Sequence, residues 1–318
     1  MMSTDMGMMK IKSGTRRGIR KLYQFRYIYL MLIPGFVATA IFSYTPLHGL
    51  WMAFSHFKLG RPILSAPFAG LEYFKEFISD SADLLYLLRN TLGMNIISLV
   101  VCLLGALILS ILLNDTKITW IKKVVQTVSF FPFFISWVIV YNVFNVFLAV
   151  ESGVINMTLK DLGILKEGIN FLAEPNLAWG LIVSTNLWKS LGYNSVIFLA
   201  AIAGIETEWY EAAEIDGADR LQKIAYITLP SLLPTLQVLL ILNVGWIFTS
   251  NFDQYYLFTN GMNRPMMEVF DMYIYRFGLK LLNFSYATAV GISQSIAGLF
   301  MLFGVNTLSK RLNGKGIL

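Results

Sequence analysis

The chain has 318 residues, of which 56% are hydrophobic and 14% charged, with mean hydropathy +0.61 and net charge +6. Soluble domains carry roughly one quarter charged residues, so this balance excludes an ordinary soluble fold and points to the membrane. The positive charge does not mark a nucleic-acid surface, because Lys and Arg gather at the ends of apolar runs rather than in a patch interleaved with aromatics.

Residues 1–26 are polar and basic, with Lys10, Lys12, Arg16, Arg17, Arg20, Lys21 and Arg26, and read as a cytoplasmic N-terminus. A membrane domain over 27–309 follows, with six spans expected near 27–54, 90–114, 124–150, 175–205, 230–252 and 285–309. Each meets the length of about 20 apolar residues that crosses hydrocarbon. Ala38-Thr39-Ala40 resembles a signal-peptidase site, yet apolar sequence continues to Pro46 and Trp51, which predicts an uncleaved first span. External segments are expected between spans one and two, with a short amphipathic helix near 71–78, and again at 151–174 and 253–280. A short basic loop occupies 115–123, and 310–318 forms a basic tail.

Six spans put both termini on one side. Segments assigned inside hold fifteen Lys and Arg residues against nine outside, so the termini and a loop at 206–229 are expected in the cytoplasm.

Little in the chain suggests catalysis. Cys102 is the only cysteine and lies in an apolar run, and His48 and His56 have no second His or Cys beside them to build a metal site. No Ser/His, Cys/His or paired-carboxylate arrangement sits in the spans. Gly314-Lys315 lacks the upstream Gly and following Ser or Thr of a phosphate-binding loop, so any ATPase is a separate chain.

The most charged stretch of the interior is 206–230, reading ETEWYEAAEIDGADRLQKIAYITLP. Six carboxylates, Glu206, Glu208, Glu211, Glu214, Asp216 and Asp219, face Arg220 and Lys223. Ala212 and Ala213 favour a helix and leave one face flat for close approach by a partner. Gly217 supplies the backbone a helix needs to stop, and Asp219 followed by Gln222 predicts a capping box that starts a second helix. Pro230 and Pro234 fit the first turns of the next span, where a missing N–H is tolerated. The predicted order is helix, Gly turn, helix, then membrane.

Glu211-Ala212-Ala213, three residues, Gly217, nine residues and Ile227-x-Leu229-Pro230 together resemble the EAA motif of permease subunits in binding-protein-dependent ABC importers. The string EAAEIDGA resembles the sugar-importing branch. Tyr44-x-Pro46 with Gly49, Asn90-Thr91-Leu92, Asn251-Phe252-Asp253-Gln254 and DMYIYRFGL at 271–279 are similar to its oligosaccharide or polysaccharide type, over about 27–313. Where that branch often has Gly before Phe-Asp-Gln, this chain has Asn251.

The resemblance implies an all-α integral membrane protein with six transmembrane helices and the type I importer permease (MetI-like) fold. It implies that Glu211, Ala212, Ala213, Glu214, Asp216, Gly217, Leu229 and Pro230 couple the spans to the ATPase through a helix seated in a cytoplasmic cleft. It further implies import of an oligosaccharide or polysaccharide fragment across the bacterial plasma membrane. The partners would be a second, different permease chain, two ABC ATPase subunits that hold ATP and Mg, and an extracellular solute-binding protein, lipid-anchored or soluble. No cofactor is expected on this chain itself, and no nucleic acid.

Polar side chains inside spans usually face the bundle or a water-filled cavity, because lipid leaves them unpartnered. Span three holds Asn142 and Asn145. In span four, Asn186, Lys189 and Tyr193 fall within about 60° of one another at a helical period, with Asn194 nearby. Asn243, Trp246, Ser250 and Gln254 make a stripe in span five, joined by Asn251 and Asp253. Aromatic faces beside amides and carboxyls suit a sugar, although helices that merely hydrogen-bond to each other produce similar stripes.

Lys189 stands apart, since an ammonium near a span centre costs about 2.5–3.5 kcal/mol and requires a partner or water. It reads either as a cavity or gate residue or as half of a structural pair with a carboxylate such as Asp253. A different class of function, an ion-coupled secondary carrier for a polar solute, would use Lys189 as its coupling charge and need no ATPase.

Overall fold

The computed structural model describes residues 24–79 and 81–313. Most of the expected basic N-terminus and the end of the expected tail lie outside the described residues. Apart from one isolated bridge between Ser55 and Phe68, the regular structure among the described residues is helical.

Helix α1 (Arg26–Phe54) passes from α to π geometry at Ala40–Tyr44 and to 3-10 geometry at Thr45–Phe54. None of its most apolar stretch is buried within the chain, so that part of α1 stands off from the bundle, while its 3-10 end buries Ala53 and packs against the last long helix, Phe284–Asn313. The short amphipathic α2 (Glu72–Ser79) sits where the sequence placed an external helix and buries Phe77 against Phe270, Tyr273 and Tyr286. Helix α3 (Ser81–Asp115) starts earlier than the expected second span. Its first turns are tied to the far end of the chain, with Tyr273 donating to Asp83 at 2.8 Å and Asn90 donating to the carbonyls of Pro265 and Glu268.

The expected third span does not run straight. Helix α4 (Thr119–Phe130) continues into a 3-10 turn at Phe131–Phe134, and α5 (Trp137–Leu148) leaves at 109° to it. Pro132 accounts for the break, because it lacks an N–H and its ring collides with the preceding turn. Ser136 then caps α5 by accepting from the Ile139 N–H.

After α6 (Val154–Asp161) comes α7 (Ala178–Ala203), which packs along α3 and forms the centre of the bundle. A Cβ on Gly192 would lie 2.1 Å from the Ser129 carbonyl oxygen, so α7 and α4 meet backbone to backbone there. Helix α8 (Thr207–Ile215) is short and acidic. Helix α9 (Arg220–Val244) rises directly from the loop through a π-turn at Ile224–Thr228, so it begins before the expected fifth span and ends at Gly245. The wide turn lies just ahead of Pro230, which cannot donate to the ladder. Three short helices follow, α10 (Phe252–Phe258), α11 (Arg264–Met267) and α12 (Phe270–Tyr275), and then the long α13 (Phe284–Asn313).

Among the described residues four helices, α1, α3, α9 and α13, are each long and apolar enough to cross a membrane, and two bent pairs raise the number to six if each is one span. In the second pair α8 exposes Glu208, Glu211 and Glu214, so α7 alone is the spanning part. Three apolar clusters hold the bundle. One joins Met94, Trp137, Ile182, Tyr255 and Phe258; a second joins Leu87, Phe248, Tyr273 and Val290; a third joins Leu103, Ala106, Phe198 and Leu232.

Candidate functional site

Two regions carry the residues singled out in the sequence. In the loop, α8 closes as its glycine requires. The Ala218 N–H donates to the Ala213 carbonyl at 2.8 Å and the Gly217 N–H to Glu214 at 3.1 Å, with Gly217 at φ +79°. Two residues on, the Gln222 N–H donates to Asp219 Oδ1 at 2.8 Å, and the Asp219 N–H to Gln222 Oε1 at 2.7 Å, which completes the capping box.

Three side-chain ties make this hairpin one unit with the spans. Lys223 Nζ lies 2.6 Å from Glu214 Oε1, and its ammonium holds the Glu214 carboxyl below the usual carboxylate range. The hydroxyls of Tyr210 and Thr228 are 2.9 Å apart. Arg220 Nε lies 2.6 Å from Asp115 Oδ2, at the end of α3.

Glu211, Ala212, Glu214, Asp216 and Gly217 are exposed, and Ala213 is half-buried. Leu229 and Pro230 sit elsewhere: they line an apolar hollow with Leu107, Leu232 and Leu236 at the root of α9. Four apolar side chains of the loop went unremarked in the sequence. Ile215 is 88% exposed at the tip, and Trp209, Leu221 and Tyr226 are also largely exposed. Trp209 and Tyr226 flank a hollow of about 430 Å³ reaching Ile227, Pro230 and Ser231. An apolar residue set between Glu214 and Asp216 was the available signal. The loop therefore presents an apolar knob inside an acidic rim, a surface suited to a protein partner.

The second region is a polar cavity of about 320 Å³ within the bundle. Of the expected path residues it brings together Asn186, Tyr193, Asn194, Asn243 and Trp246. Asn186 donates to Ser98 Oγ at 2.6 Å, and Trp246 is 71% exposed. Sequence reading missed Asn95, Ser98 and Cys102, which α3 contributes from one face at i, i+3 and i+7, as well as Ser190, Thr249 and Phe133. The i, i+3, i+7 spacing of these three is visible in the sequence of span two. A larger cavity of about 860 Å³, between Leu47 and Leu50 of α1 and Ile292 and Leu299 of α13, is mostly apolar and lies away from these groups.

The remaining candidates lie outside this cavity. Asn142 donates to the Val138 carbonyl of its own helix, and both it and Asn145 are exposed on α5 beyond the bend. Ser250 donates its N–H to Asp271 Oδ2 at 2.7 Å and accepts from Asn95, which makes it a tie at the cavity edge. Gln254 is buried and donates to the Ile182 carbonyl and Thr185 Oγ1, both at 2.9 Å, so it joins α10 to α7. Asn251 and Asp253 are exposed at the start of α10.

Lys189 does not pair with Asp253. Its Nζ donates to the carbonyls of Pro132, at 3.2 Å, Phe133, at 2.9 Å, and Ile135. These acceptors cluster at the end of the 3-10 turn, where the Pro132 carbonyl also accepts from the Ile135 N–H at 3.3 Å, and the ammonium lies 5.4 Å from the Trp137 ring. An ammonium so occupied is a poor coupling charge for an ion-driven carrier.

Comparison with known proteins agrees with this geometry. Residues 102–314 match the family described as "Binding-protein-dependent transport system inner membrane component". Protein LplB of Bacillus subtilis (strain 168) is 37% identical over 292 residues, covering 92% of this chain and 91% of its own length. The polygalacturonan/rhamnogalacturonan transport system permease protein YteP of the same organism is 37% identical over 306 residues, covering 96% and 94%. Among solved structures, a bacterial ABC transporter involved in the import of the acidic polysaccharide alginate aligns with TM-score 0.83 and 32% identity, covering 93% of this chain and 99% of that one. The chain has the permease fold of these transporters and is a transport component, not a catalyst. It belongs to the family of inner membrane components of binding-protein-dependent transport systems.

Proposed function

We propose that this chain is the permease through which an ATP-driven importer passes an oligosaccharide or polysaccharide fragment from an external solute-binding protein into the cytoplasm. The names of its relatives, YteP among them, and the alginate transporter support the glycan. The cavity chemistry supports it too, since Asn95, Asn186 and Ser190 offer donors and acceptors to hydroxyls while Phe133, Tyr193 and Trp246 offer ring faces.

In this reading both termini and the 206–229 loop are cytoplasmic. A second, different permease chain completes the path, and two ATPase subunits beneath it bind ATP and Mg. The observation that carries the reading is the α8 hairpin, acid-rimmed around Ile215 and tied at Glu214, Tyr210 and Arg220 to α9 and α3. ATP binding would close the ATPase pair, move α8, and through these ties swing α3 and α9 so that the cavity opens outward; hydrolysis resets it. Glu211, Ala212, Ala213, Asp216 and Gly217 form the contact surface, while Leu229 and Pro230 act at the root of the span. Mild purification of the tagged chain from its native membrane tests this: a second permease and a nucleotide-hydrolysing subunit should come with it, and their absence from an intact preparation would contradict it.

A further inference from the structure

The 3-10 turn at Phe131–Phe134 gives way to extended backbone at Ile135, so the carbonyls at its end leave the helical ladder. The Lys189 ammonium donates to three of them, those of Pro132, Phe133 and Ile135, the first of which also accepts from the Ile135 N–H at 3.3 Å. The same ammonium lies 6.0 Å from the Phe133 ring and 5.4 Å from Trp137. One turn further along α7, at i+4 and on the same face, Tyr193 meets the same 3-10 turn by its side chain. The rings of Phe133 and Tyr193 stack with centroids 4.1 Å apart and planes 8° from parallel. Both rings line the polar cavity, and both remain partly exposed, Phe133 at 38% and Tyr193 at 41%. Lys189 itself is not among the cavity-lining residues. The helix therefore grips the turn twice, by its backbone through Lys189 and by its aromatic side chain through Tyr193.

We propose that Lys189 is a positioning residue of the translocation path, holding the Phe131–Phe134 turn so that Phe133 lies flat on Tyr193 and the paired rings form the wall on which a pyranose ring stacks. The proposal rests on the reading of this cavity as the glycan path. It assigns the half-buried cation no direct contact with cargo. Its work is to fix the backbone at the end of that turn.

The chain supplies its own reporter. Cys102 is its only cysteine and lines the same cavity. The assembled transporter is reconstituted in vesicles, modification of Cys102 by a small methanethiosulfonate is followed on this chain by mass spectrometry, and uptake is measured with a digest of polygalacturonan and rhamnogalacturonan.

Lys189→Met removes the donors and keeps an unbranched side chain. Modification of Cys102 should quicken severalfold, and the half-saturating concentration for uptake should rise about threefold to tenfold, with the maximal rate changing much less. Lys189→Arg keeps a cation with several donors and should restore both toward wild type. Phe133→Ala should raise both without touching the ammonium, and adding Lys189→Met to it should change little further. If Lys189→Met does not reach the membrane, rescue by Lys189→Arg and the Phe133→Ala result decide instead.

Unchanged Cys102 modification in Lys189→Met, or full additivity with Phe133→Ala, overturns the proposal. Faster modification with an unchanged half-saturating concentration, or no uptake of the digest by wild type, overturns the path or cargo reading instead, so the two failures are distinguishable.

Discussion

The hydroxyl of Tyr210 on α8 lies 2.9 Å from the hydroxyl of Thr228, the last residue of the π-turn from which α9 rises. Thr228 is 4% exposed, so the contact reaches from the surface helix into the packed base of a span. A push on α8 is thereby delivered to α9 by a side chain as well as by the peptide chain. Tyr210→Phe removes one hydrogen bond, of about 1 kcal/mol, and leaves the ring in place. The number of glycan molecules moved per ATP hydrolysed should fall while the assembly stays intact. An unchanged ratio would argue that the connecting backbone alone transmits the motion.

The Lys223–Glu214 contact has a definite pH signature. Glu214 has its folded-state acidity strengthened by Lys223, so the stability it adds is present above the ordinary Glu value of 4.5 and is lost as pH falls through the lower folded value. Thermal unfolding of wild type and Glu214→Gln should therefore differ at neutral pH and converge in acid. The difference is small, because Glu214 is largely solvated.

Gly217 is restricted by conformation rather than by space. Its φ is +79°, and no atom lies within 4 Å of where a Cβ would stand. Replacing it by Val forces a β-branched residue into the left-handed region, at about 1–2 kcal/mol or more, whereas Asn tolerates that region. Uptake should be lost in Gly217→Val and largely kept in Gly217→Asn, with ATP hydrolysis continuing in both. Equal uptake in the two variants would show that the turn is not what matters.

Asn186 and Gln254 are both polar residues inside the bundle, and opposite results are expected from them. Gln254→Leu removes two buried hydrogen bonds between α10 and α7, each of about 1 kcal/mol, and should lower the yield of folded protein. Asn186→Leu faces the cavity and should raise the half-saturating glycan concentration with a normal yield. The check is yield by size-exclusion profile against concentration dependence of uptake; a reversed pattern would exchange the roles assigned to them.

Much of this was legible in the residues. Apolar runs and turn chemistry predicted an all-helical membrane chain, and Gly217 and the Asp219–Gln222 pair predicted how the loop would fold, because those rules are local. The 109° break at Phe131–Phe134 was not legible, although Pro132 was in view. Proline can bend a helix slightly or end it, and the sequence does not show that the Lys189 ammonium of another helix meets the carbonyls at the end of the turn. Path residues were only partly visible for a similar reason. A polar stripe shows that a face is not lipid-exposed, but whether it meets a cavity, as at Asn186, or another helix, as at Gln254, depends on the opposing element. Ile215 is not distinguished by sequence alone, because an apolar residue in an acidic loop stands out only once the helix has turned it outward.

In the proposed importer the tip of α8 sits in a nucleotide-hydrolysing partner. Cross-linking is the test: in a Cys102→Ser background, Ile215→Cys is labelled with a short thiol-reactive photo-cross-linker and irradiated in the intact, reconstituted assembly. A covalent product between this chain and the ATPase subunit is expected, with a yield that changes with bound ATP. A product with any external protein, or none with the ATPase in an assembly that still transports, would contradict it.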